Sequence, residues 1–364
     1  MNQSIPIYKP WITEKEKFFL QDAIDSQWVS SIGKYIDLFQ DKFSEFIGCK
    51  YSLSVNNGTS ACHLSLLANN IKNKDEVIVP SSTFIACPNA VKYCGATPVI
   101  ADIDGDTWNI SLNEIKKKVT DKTKAIFLVH MLGNPCSQEI YDWCADNKIL
   151  CIEDACESIG ASLNQTKTGN LGACAAFSFF GNKNLTTGEG GMITTNNEEI
   201  FEIAKYLRGQ AQDSTYIHGD IGYNYRMTNI QAALGYSQML RIEDIMSEKQ
   251  RVFDCYRKNL QSIIGENGFK LQKTTENSKH ANWMFAIYSN KKDNIKKFLN
   301  ENGVDTRPMF YPVNSMKPYF SEEIHSVAND LSSRVIMLPS YPELNNDQIE
   351  KICELVKKSN GKNI

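Results

Sequence analysis

Long apolar runs, secretion signals and blocks of like charge are all missing from this 364-residue sequence. No apolar run approaches the roughly 20 residues that span a bilayer, which argues against a membrane protein. The amino terminus lacks the charged and apolar regions of a signal peptide, so we expect a cytoplasmic protein. The formal net charge is only −3 and both signs are mixed along the chain, which argues against nucleic acid as a partner.

Paired cysteine and metal-ligand motifs are missing as well. The 11 cysteines include no C-x-x-C pair, and their dispersal from Cys49 to Cys353 favours buried, reduced thiols. The five histidines lie far apart and none has a second ligand at metal spacing, so we expect no metal site. The remaining composition is that of an ordinary globular protein, with 42% hydrophobic and 22% charged residues.

Short apolar segments alternate with helix-like segments over about the first 250 residues. We predict strands at residues 51–55, 76–79, 97–102, 125–129, 149–152 and 175–179. This alternation predicts an α/β fold with a mostly parallel central sheet flanked by helices. A long polar helical stretch at 243–261 then begins a segment of mixed character. We therefore expect a large domain at residues 1–245 and a smaller C-terminal α+β domain at 246–364.

A glycine turn follows the first predicted strand. The residues Gly58, Thr59 and Ser60 place backbone N–H groups and hydroxyls at the start of an apolar helix, an arrangement typical of phosphate binding. The same residues would also make an ordinary turn with a helix N-cap. Taken alone, the segment leaves both interpretations open.

Two carboxylates, Glu153 and Asp154, end a later apolar strand. Ligands of open parallel sheets bind beyond the carboxyl ends of the strands, so one of these carboxylates is expected to face a ligand. A carboxylate in that place could keep a pyridine nitrogen protonated. For an isolated Glu-Asp pair, however, a helix N-cap role for Asp154 is favoured.

A lysine stands between an aromatic strand and a glycine-rich turn. Lys183 follows Phe179 and Phe180, and the glycine-rich segment that follows it ends at Gly191. Desolvation beside aromatic residues favours the free amine that imine chemistry requires. The hydroxyl of Ser178, five residues earlier, could reach the same phosphate as the glycine turn.

Together these motifs resemble those of the DegT/DnrJ/StrS sugar aminotransferases, which are pyridoxal-phosphate-dependent enzymes with the aspartate-aminotransferase fold (fold type I). The resemblance covers nearly the whole chain and takes in the further segments 28–35, 80–84, 94–99, 208–210, 222–229 and 306–308. Within the family, segments 178–183 and 222–228 are most similar to perosamine-synthase-type enzymes, which aminate C4 of a nucleotide-linked 4-keto-6-deoxy sugar.

According to this resemblance, four residues would act directly on the cofactor. Lys183 corresponds to the lysine that holds pyridoxal phosphate as a Schiff base, and Asp154 to the partner of the pyridine nitrogen. Phe84 falls where the family stacks an aromatic ring on the cofactor, and Glu157 where it places a polar residue beside the cofactor. Lys183 and Asp154 are therefore the expected catalytic residues.

The resemblance also implies a phosphate site and a dimer. The phosphate-binding positions of the family fall on Gly58, Thr59, Ser60 and Ser178. Asn224 matches a residue that reaches the phosphate from the neighbouring subunit, which implies a homodimer with active sites at the interface.

The resemblance is less complete among the residues that are expected to bind the substrate. The expected substrate-binding residues are Ser30, from an amino-terminal segment that contributes to the pocket, and Arg307, Tyr311 and Asn314. Asn314 stands where perosamine-type enzymes usually have histidine. This difference leaves two acceptors open, a nucleotide-linked keto sugar and a small phosphorylated ketone such as dihydroxyacetone phosphate. Arg307 could bind an anionic group of either, and a surface ion pair is the other interpretation of this residue.

The activity implied is transfer of an amino group from L-glutamate to a keto sugar for surface polysaccharide biosynthesis. A pyridoxal-phosphate-dependent sugar dehydratase is an alternative, but such relatives place histidine where this chain has Lys183. A regulatory protein that only binds the cofactor is a third possibility, and no basic patch supports it.

Overall fold

The computed structural model describes residues 4–361, whose strands form four sheets. The strands are β1 (Tyr51–Val55), β2 (Glu76–Pro80), β3 (Thr97–Ala101), β4 (Thr123–Val129), β5 (Leu150–Asp154), β6 (Ser162–Leu163), β7 (Thr166–Lys167), β8 (Cys174–Ser178), β9 (Gly191–Thr195), β10 (Gln212–Ser214), β11 (Ile217–His218), β12 (Lys270–Leu271), β13 (Ser278–Lys279), β14 (Phe285–Tyr288), β15 (Arg307–Pro308) and β16 (Val335–Leu338). The α-helices are α1 (Glu14–Asp25), α2 (Lys34–Ile47), α3 (Gly58–Ala68), α4 (Ala86–Tyr93), α5 (Leu112–Lys118), α6 (Gln138–Asp146), α7 (Glu198–Arg208), α8 (Asn229–Met239), α9 (Ile242–Leu260), α10 (Lys292–Glu301), α11 (Ser326–Arg334) and α12 (Asn346–Gly361).

The central sheet has seven strands in the order β1-β9-β8-β5-β4-β2-β3. Its strands β8, β5, β4, β2 and β3 are parallel neighbours, and only β9 runs against the others. The α/β prediction with a mostly parallel sheet is confirmed, and the six predicted strands agree with the observed ones to within two residues at each end. Strand β9 was not predicted. It reverses direction because the chain turns back through the glycine-rich segment before it.

Pairing within this sheet brings the sequence motifs to one edge. Asp154 is the last residue of β5 and pairs with Val129 at the end of β4. On the other side, Gly191 of β9 lies opposite both Ser178 and Val55. Because Val55 immediately precedes the glycine turn, these pairings place the turn, Ser178 and Asp154 at the carboxyl ends of neighbouring strands.

A smaller sheet, in the order β12-β14-β16-β15, is antiparallel throughout. Its buried residues share an apolar core with α9, α10 and α12. Ile5, near the amino terminus, joins this core and forms a parallel bridge with Val304. The predicted helix at 243–261 is present as α9. The domain boundary at residue 245 stays a prediction.

The amino-terminal helices are fixed by a buried ion pair. Glu16 is fully buried, and its carboxylate accepts hydrogen bonds from the Thr13 backbone N–H (2.7 Å) and from Arg241 Nη1 (3.3 Å). The Arg241 guanidinium also lies over the Trp11 ring, 3.9 Å from its centroid. The first helix is thereby anchored beside α8. Among residues 4–361, the structure contains no helix that is both long and apolar enough to cross a membrane.

Candidate active site

The glycine turn between β1 and α3 forms a narrow cradle. The Asn57 side chain accepts a hydrogen bond from the Ser60 N–H (2.8 Å) and caps an 11-residue helix. A Cβ atom on Gly58 would lie 2.8 Å from Ser178 Cβ, so a side chain at this position would clash. The N–H groups of Gly58 and Thr59 stand at the positive end of the helix dipole, which attracts an anion. The two interpretations of the segment, N-cap and anion site, are therefore compatible.

Asp154 presents a buried carboxylate at the end of β5. Its Oδ1 accepts a hydrogen bond from the Cys156 N–H (3.0 Å), and its Oδ2 accepts one from the Cys87 thiol (2.8 Å). No helix begins at Asp154, so the N-cap role that the isolated Glu-Asp pair favoured is wrong. Its neighbour Glu153 points away and accepts three backbone N–H groups from residues 169–172. The alternation of the strand thus sends the two carboxylates to opposite sides, and a ligand contact of Asp154 stays a prediction.

Two thiols surround this carboxylate. The ligand atoms of Cys62, Cys87 and Asp154 lie within 4.8 Å of one another, a set that can hold a metal ion. Burial raises the pKa of the Cys87 thiol to about 12, however, so this thiol stays protonated and acts as a hydrogen-bond donor. Sequence spacing gave no sign of this cluster, because Cys87 and Asp154 are 67 positions apart in the chain.

Lys183 is held by contacts from two distant segments. The Tyr8 hydroxyl donates to the Lys183 carbonyl (2.5 Å), and Trp283 Nε1 donates to the Asn182 carbonyl (2.7 Å). The Lys183 amine lies 3.9 Å from the centroid of the Trp283 indole. Tyr8 and Trp283 were not identified from the sequence, since they are 175 and 101 positions away from the residues they contact.

Glu157 is a third buried carboxyl group at this edge. Its Oε2 accepts a hydrogen bond from the Leu132 N–H (2.7 Å). Burial raises the pKa of Glu157 to about 7, while the nearby charge of Lys183 and the Leu132 hydrogen bond partly offset that effect. The charge of Asp154 adds to the increase. The structure thus brings both Lys183 and Asp154 within electrostatic range of Glu157.

The raised pKa of Glu157 predicts a pH-dependent cost to stability. Between about pH 4.5 and pH 7 the folded chain retains a proton that the unfolded chain releases, so this group's contribution falls as pH rises through that window. In Glu157→Gln the side chain cannot ionise, so the variant does not lose stability as pH rises through this window. From about pH 5 to pH 8 we expect the variant to gain about 2–3 kcal/mol of unfolding free energy relative to the wild type. Urea unfolding of the cofactor-free proteins measures this gain, and identical pH dependence in both would refute it.

Phe84 lies on the loop after β2, next to the segment that follows β15. Its ring is 58% exposed and meets Phe310 edge-on, with the ring centroids 6.4 Å apart. The Val313 N–H donates to the Ser81 carbonyl (2.8 Å) and ties the two segments together. An exposed, flat ring at this edge is free to stack on a planar ligand.

The expected substrate residues have different surroundings. The Arg307 guanidinium is exposed, 3.8 Å from Asp305, and Tyr311 is also exposed. Asn314 is buried, and its Nδ2 donates to the Glu323 carbonyl (2.7 Å). Ser30 is exposed, and its carbonyl accepts the N–H at the start of α8 (2.5 Å). Their contact with a substrate stays a prediction.

Asn224 lies on an exposed loop before α8. Its side-chain oxygen accepts a hydrogen bond from Arg226 Nη2 (3.4 Å), and its backbone bridges to Gly209. An exposed position suits a residue that acts on a neighbouring copy of the chain, as the sequence predicts.

The chain is similar to known proteins over nearly its full length. The model of the DegT/DnrJ/EryC1/StrS aminotransferase family matches residues 10–357. A GDP-perosamine synthase of Escherichia coli O157:H7 is 42% identical over 362 residues, covering 97% of this chain and 98% of that protein. One from Vibrio cholerae is 38% identical, with 97% and 98% covered. The X-ray structure of an aminotransferase from Psychrobacter cryohalolentis has a TM-score of 0.91 at 28% identity, covering 96% of this chain and 98% of that one.

Proposed function

The chain belongs to the DegT/DnrJ/EryC1/StrS aminotransferase family of pyridoxal-phosphate-dependent enzymes, and on this premise we propose that it aminates a nucleotide-linked 4-keto-6-deoxy sugar. The observation that carries the proposal is the end-to-end similarity to a GDP-perosamine synthase at 42% identity. That relative's name favours guanosine diphosphate as the sugar carrier. We propose L-glutamate as the amino donor and surface polysaccharide biosynthesis as the use of the product.

The residues at the sheet edge fit the cofactor. The Gly58 cradle, which a Cβ atom would close, suits a phosphate bound by Thr59, Ser60 and Ser178. The buried carboxylate of Asp154 suits a protonated pyridine nitrogen. When bound, pyridoxal phosphate supplies an electron sink for the carbon that loses its proton.

Lys183 is the residue that we assign to the chemistry. Its amine would hold the cofactor and, when free, would take the proton from the donor's Cα. Because the amine is released beside that carbon, one group serves as both leaving amine and base. Phe84 would provide a ring for the cofactor to stack on, and Glu157 would supply a polar group beside the cofactor.

A homodimer is part of this proposal. Asn224 would complete the phosphate site of a second copy, and exposed apolar side chains are available to pair with one. Exposed examples are Trp28, Val29, Ile32, Tyr216, Ile217 and Ile221. Sedimentation equilibrium is expected to give twice the chain mass of 41.1 kDa, and a single chain mass would contradict the dimer.

The cysteines bear on where the protein works in the cell. All 11 cysteines are free, which supports a reducing compartment. We propose the cytoplasm, to be checked by cell fractionation.

The role of Asn314 weakens the case for a small phosphorylated ketone. The side chain that differs from the usual histidine donates to the Glu323 carbonyl and so stabilises its own loop. This contact gives the side chain a role that involves no acceptor substrate, while its buried Oδ1 has no hydrogen-bond partner among the described residues. We keep the nucleotide-linked keto sugar as the proposed substrate class.

A panel of acceptors tests this substrate class. The enzyme is first converted to its pyridoxamine phosphate form with glutamate and then mixed with GDP-linked and dTDP-linked 4-keto-6-deoxy sugars or with dihydroxyacetone phosphate. We expect the pyridoxal absorbance to return fastest with a nucleotide-linked sugar, because the pocket then binds both carrier and keto group. Return with dihydroxyacetone phosphate alone would overturn the assignment.

A further inference from the structure

The indole of Trp283 lies directly against the Lys183 amine. Lys183 Nζ is 3.9 Å from the ring centroid, well inside the range of a cation–π interaction. Trp283 is only 5% exposed, so water competes weakly for the amine on this side. The attraction between the ring and an ammonium group is correspondingly strong.

Hydrogen bonds fix Trp283 both at its ring nitrogen and at its backbone carbonyl. Its Nε1 donates to the Asn182 carbonyl (2.7 Å), one residue before Lys183. Its own carbonyl accepts a hydrogen bond from Lys249 Nζ (2.7 Å), and Lys249 also donates to the Ser340 carbonyl. Lys249 is fully buried on α9, and burial lowers its pKa to about 7. These hydrogen bonds thereby hold the Trp283 ring at a fixed position relative to the Lys183 backbone.

The carboxylates around Lys183 are less suitable partners for a mobile amine. Glu157 and Asp154 both lie within electrostatic range of this region. An ion pair with either would hold the amine against a carboxylate oxygen by a directional, charge-assisted hydrogen bond. The face of an aromatic ring offers a broader and less directional contact, from which the amine can move.

We propose that the Trp283 ring is the docking face for the Lys183 amine whenever that amine is not bonded to the cofactor. The inference rests on the proposed function, in which Lys183 is the cofactor-binding lysine. Under that function the amine would leave the cofactor and return to it in each turnover. Trp283 is a positioning residue, which limits a long, flexible side chain to conformations beside the indole.

The test follows how fast the lysine linkage forms when pyridoxal phosphate is mixed with cofactor-free protein. Stopped-flow absorbance is recorded for Trp283→Leu, Trp283→Phe and the control Trp143→Leu, which removes a tryptophan from α6. We expect Trp283→Leu to slow linkage formation about tenfold and Trp283→Phe, which keeps a weaker ring, about threefold. The Trp143→Leu control is expected to match the wild type.

Equilibrium binding of pyridoxamine phosphate separates positioning from a structural role, because this ligand forms no linkage with Lys183. Unchanged affinity together with slower linkage supports the proposal. Wild-type linkage rates in Trp283→Leu would overturn it, as would a loss of pyridoxamine phosphate affinity equal to the loss of rate. If Trp283→Leu does not fold, Trp283→Phe decides, and an unslowed rate overturns the proposal. Absence of any linkage in the wild type would instead refute the proposed function.

Discussion

Replacing Lys183 by alanine is expected to abolish both the absorbance of the cofactor–lysine linkage and measurable amino transfer. The variant loses the amine that holds the cofactor and the base that moves the proton. General-base catalysis alone contributes up to about 10⁴-fold, so we expect turnover to fall by at least that factor. The measurement is the visible spectrum after addition of pyridoxal phosphate, followed by an assay of amino transfer from glutamate.

A matched control for this variant lies on β7. Lys167 also rests on an aromatic ring, with its amine 4.2 Å from the centroid of Phe46. Lys167→Ala therefore removes a lysine from a similar contact outside the proposed site, and we expect a wild-type spectrum. An unchanged spectrum in Lys183→Ala would show that a different amine holds the cofactor.

Replacing Asp154 by asparagine is expected to give the second-largest effect, with a different signature. Asparagine keeps the shape and can still accept hydrogen bonds, but it lacks the negative charge that keeps the pyridine nitrogen protonated. Loss of this charge stabilisation lowers turnover by about 10²–10³-fold. The lysine linkage should still form, so the spectrum remains while the reaction slows. Wild-type turnover in Asp154→Asn would contradict the assignment.

Glu153→Gln provides the comparison for Asp154. The Glu153 carboxylate is fully buried, and its partners include His130 Nε2 (3.0 Å) and three backbone N–H groups. We expect this variant to be less stable, because a neutral amide binds those groups less strongly. Its folded fraction should keep near-wild-type turnover. The two variants together test which of the adjacent carboxylates faces the cofactor.

The central sheet was predictable, apart from β9, because its other strands are short apolar segments ended by clear turns. The motifs at Gly58, Asp154 and Lys183 were visible in the sequence for the same reason, since each lies at the carboxyl end of such a strand or within five residues after it. The sequence alone left open which of Glu153 and Asp154 would face a ligand. In the structure, the loop at residues 169–172 donates three backbone N–H groups to Glu153, which supports our proposal that Asp154 faces the ligand.

The surroundings of Lys183 could not be predicted from local patterns. Trp283 and Lys249 lie in segments whose sequences resemble an ordinary strand and helix. Only in the folded chain does Trp283 meet Lys183 and Lys249 bind the Trp283 carbonyl. At Asn314, by contrast, the sequence showed a difference whose meaning depends on the folded structure. A difference from the usual family residue suggested another substrate, but its hydrogen bond to Glu323 gives it a role within its own loop.

Transfer of nitrogen from glutamate to the sugar is the most direct test of the proposed reaction. The enzyme is incubated with [¹⁵N]glutamate, labelled on the amino group, and a GDP-linked 4-keto-6-deoxy sugar, and the sugar product is examined by mass spectrometry. We expect one ¹⁵N atom in each product molecule with the wild type and none with Lys183→Ala. A sugar that loses a hydroxyl without gaining ¹⁵N, or no reaction with any keto sugar, would contradict the aminotransferase assignment proposed for this site.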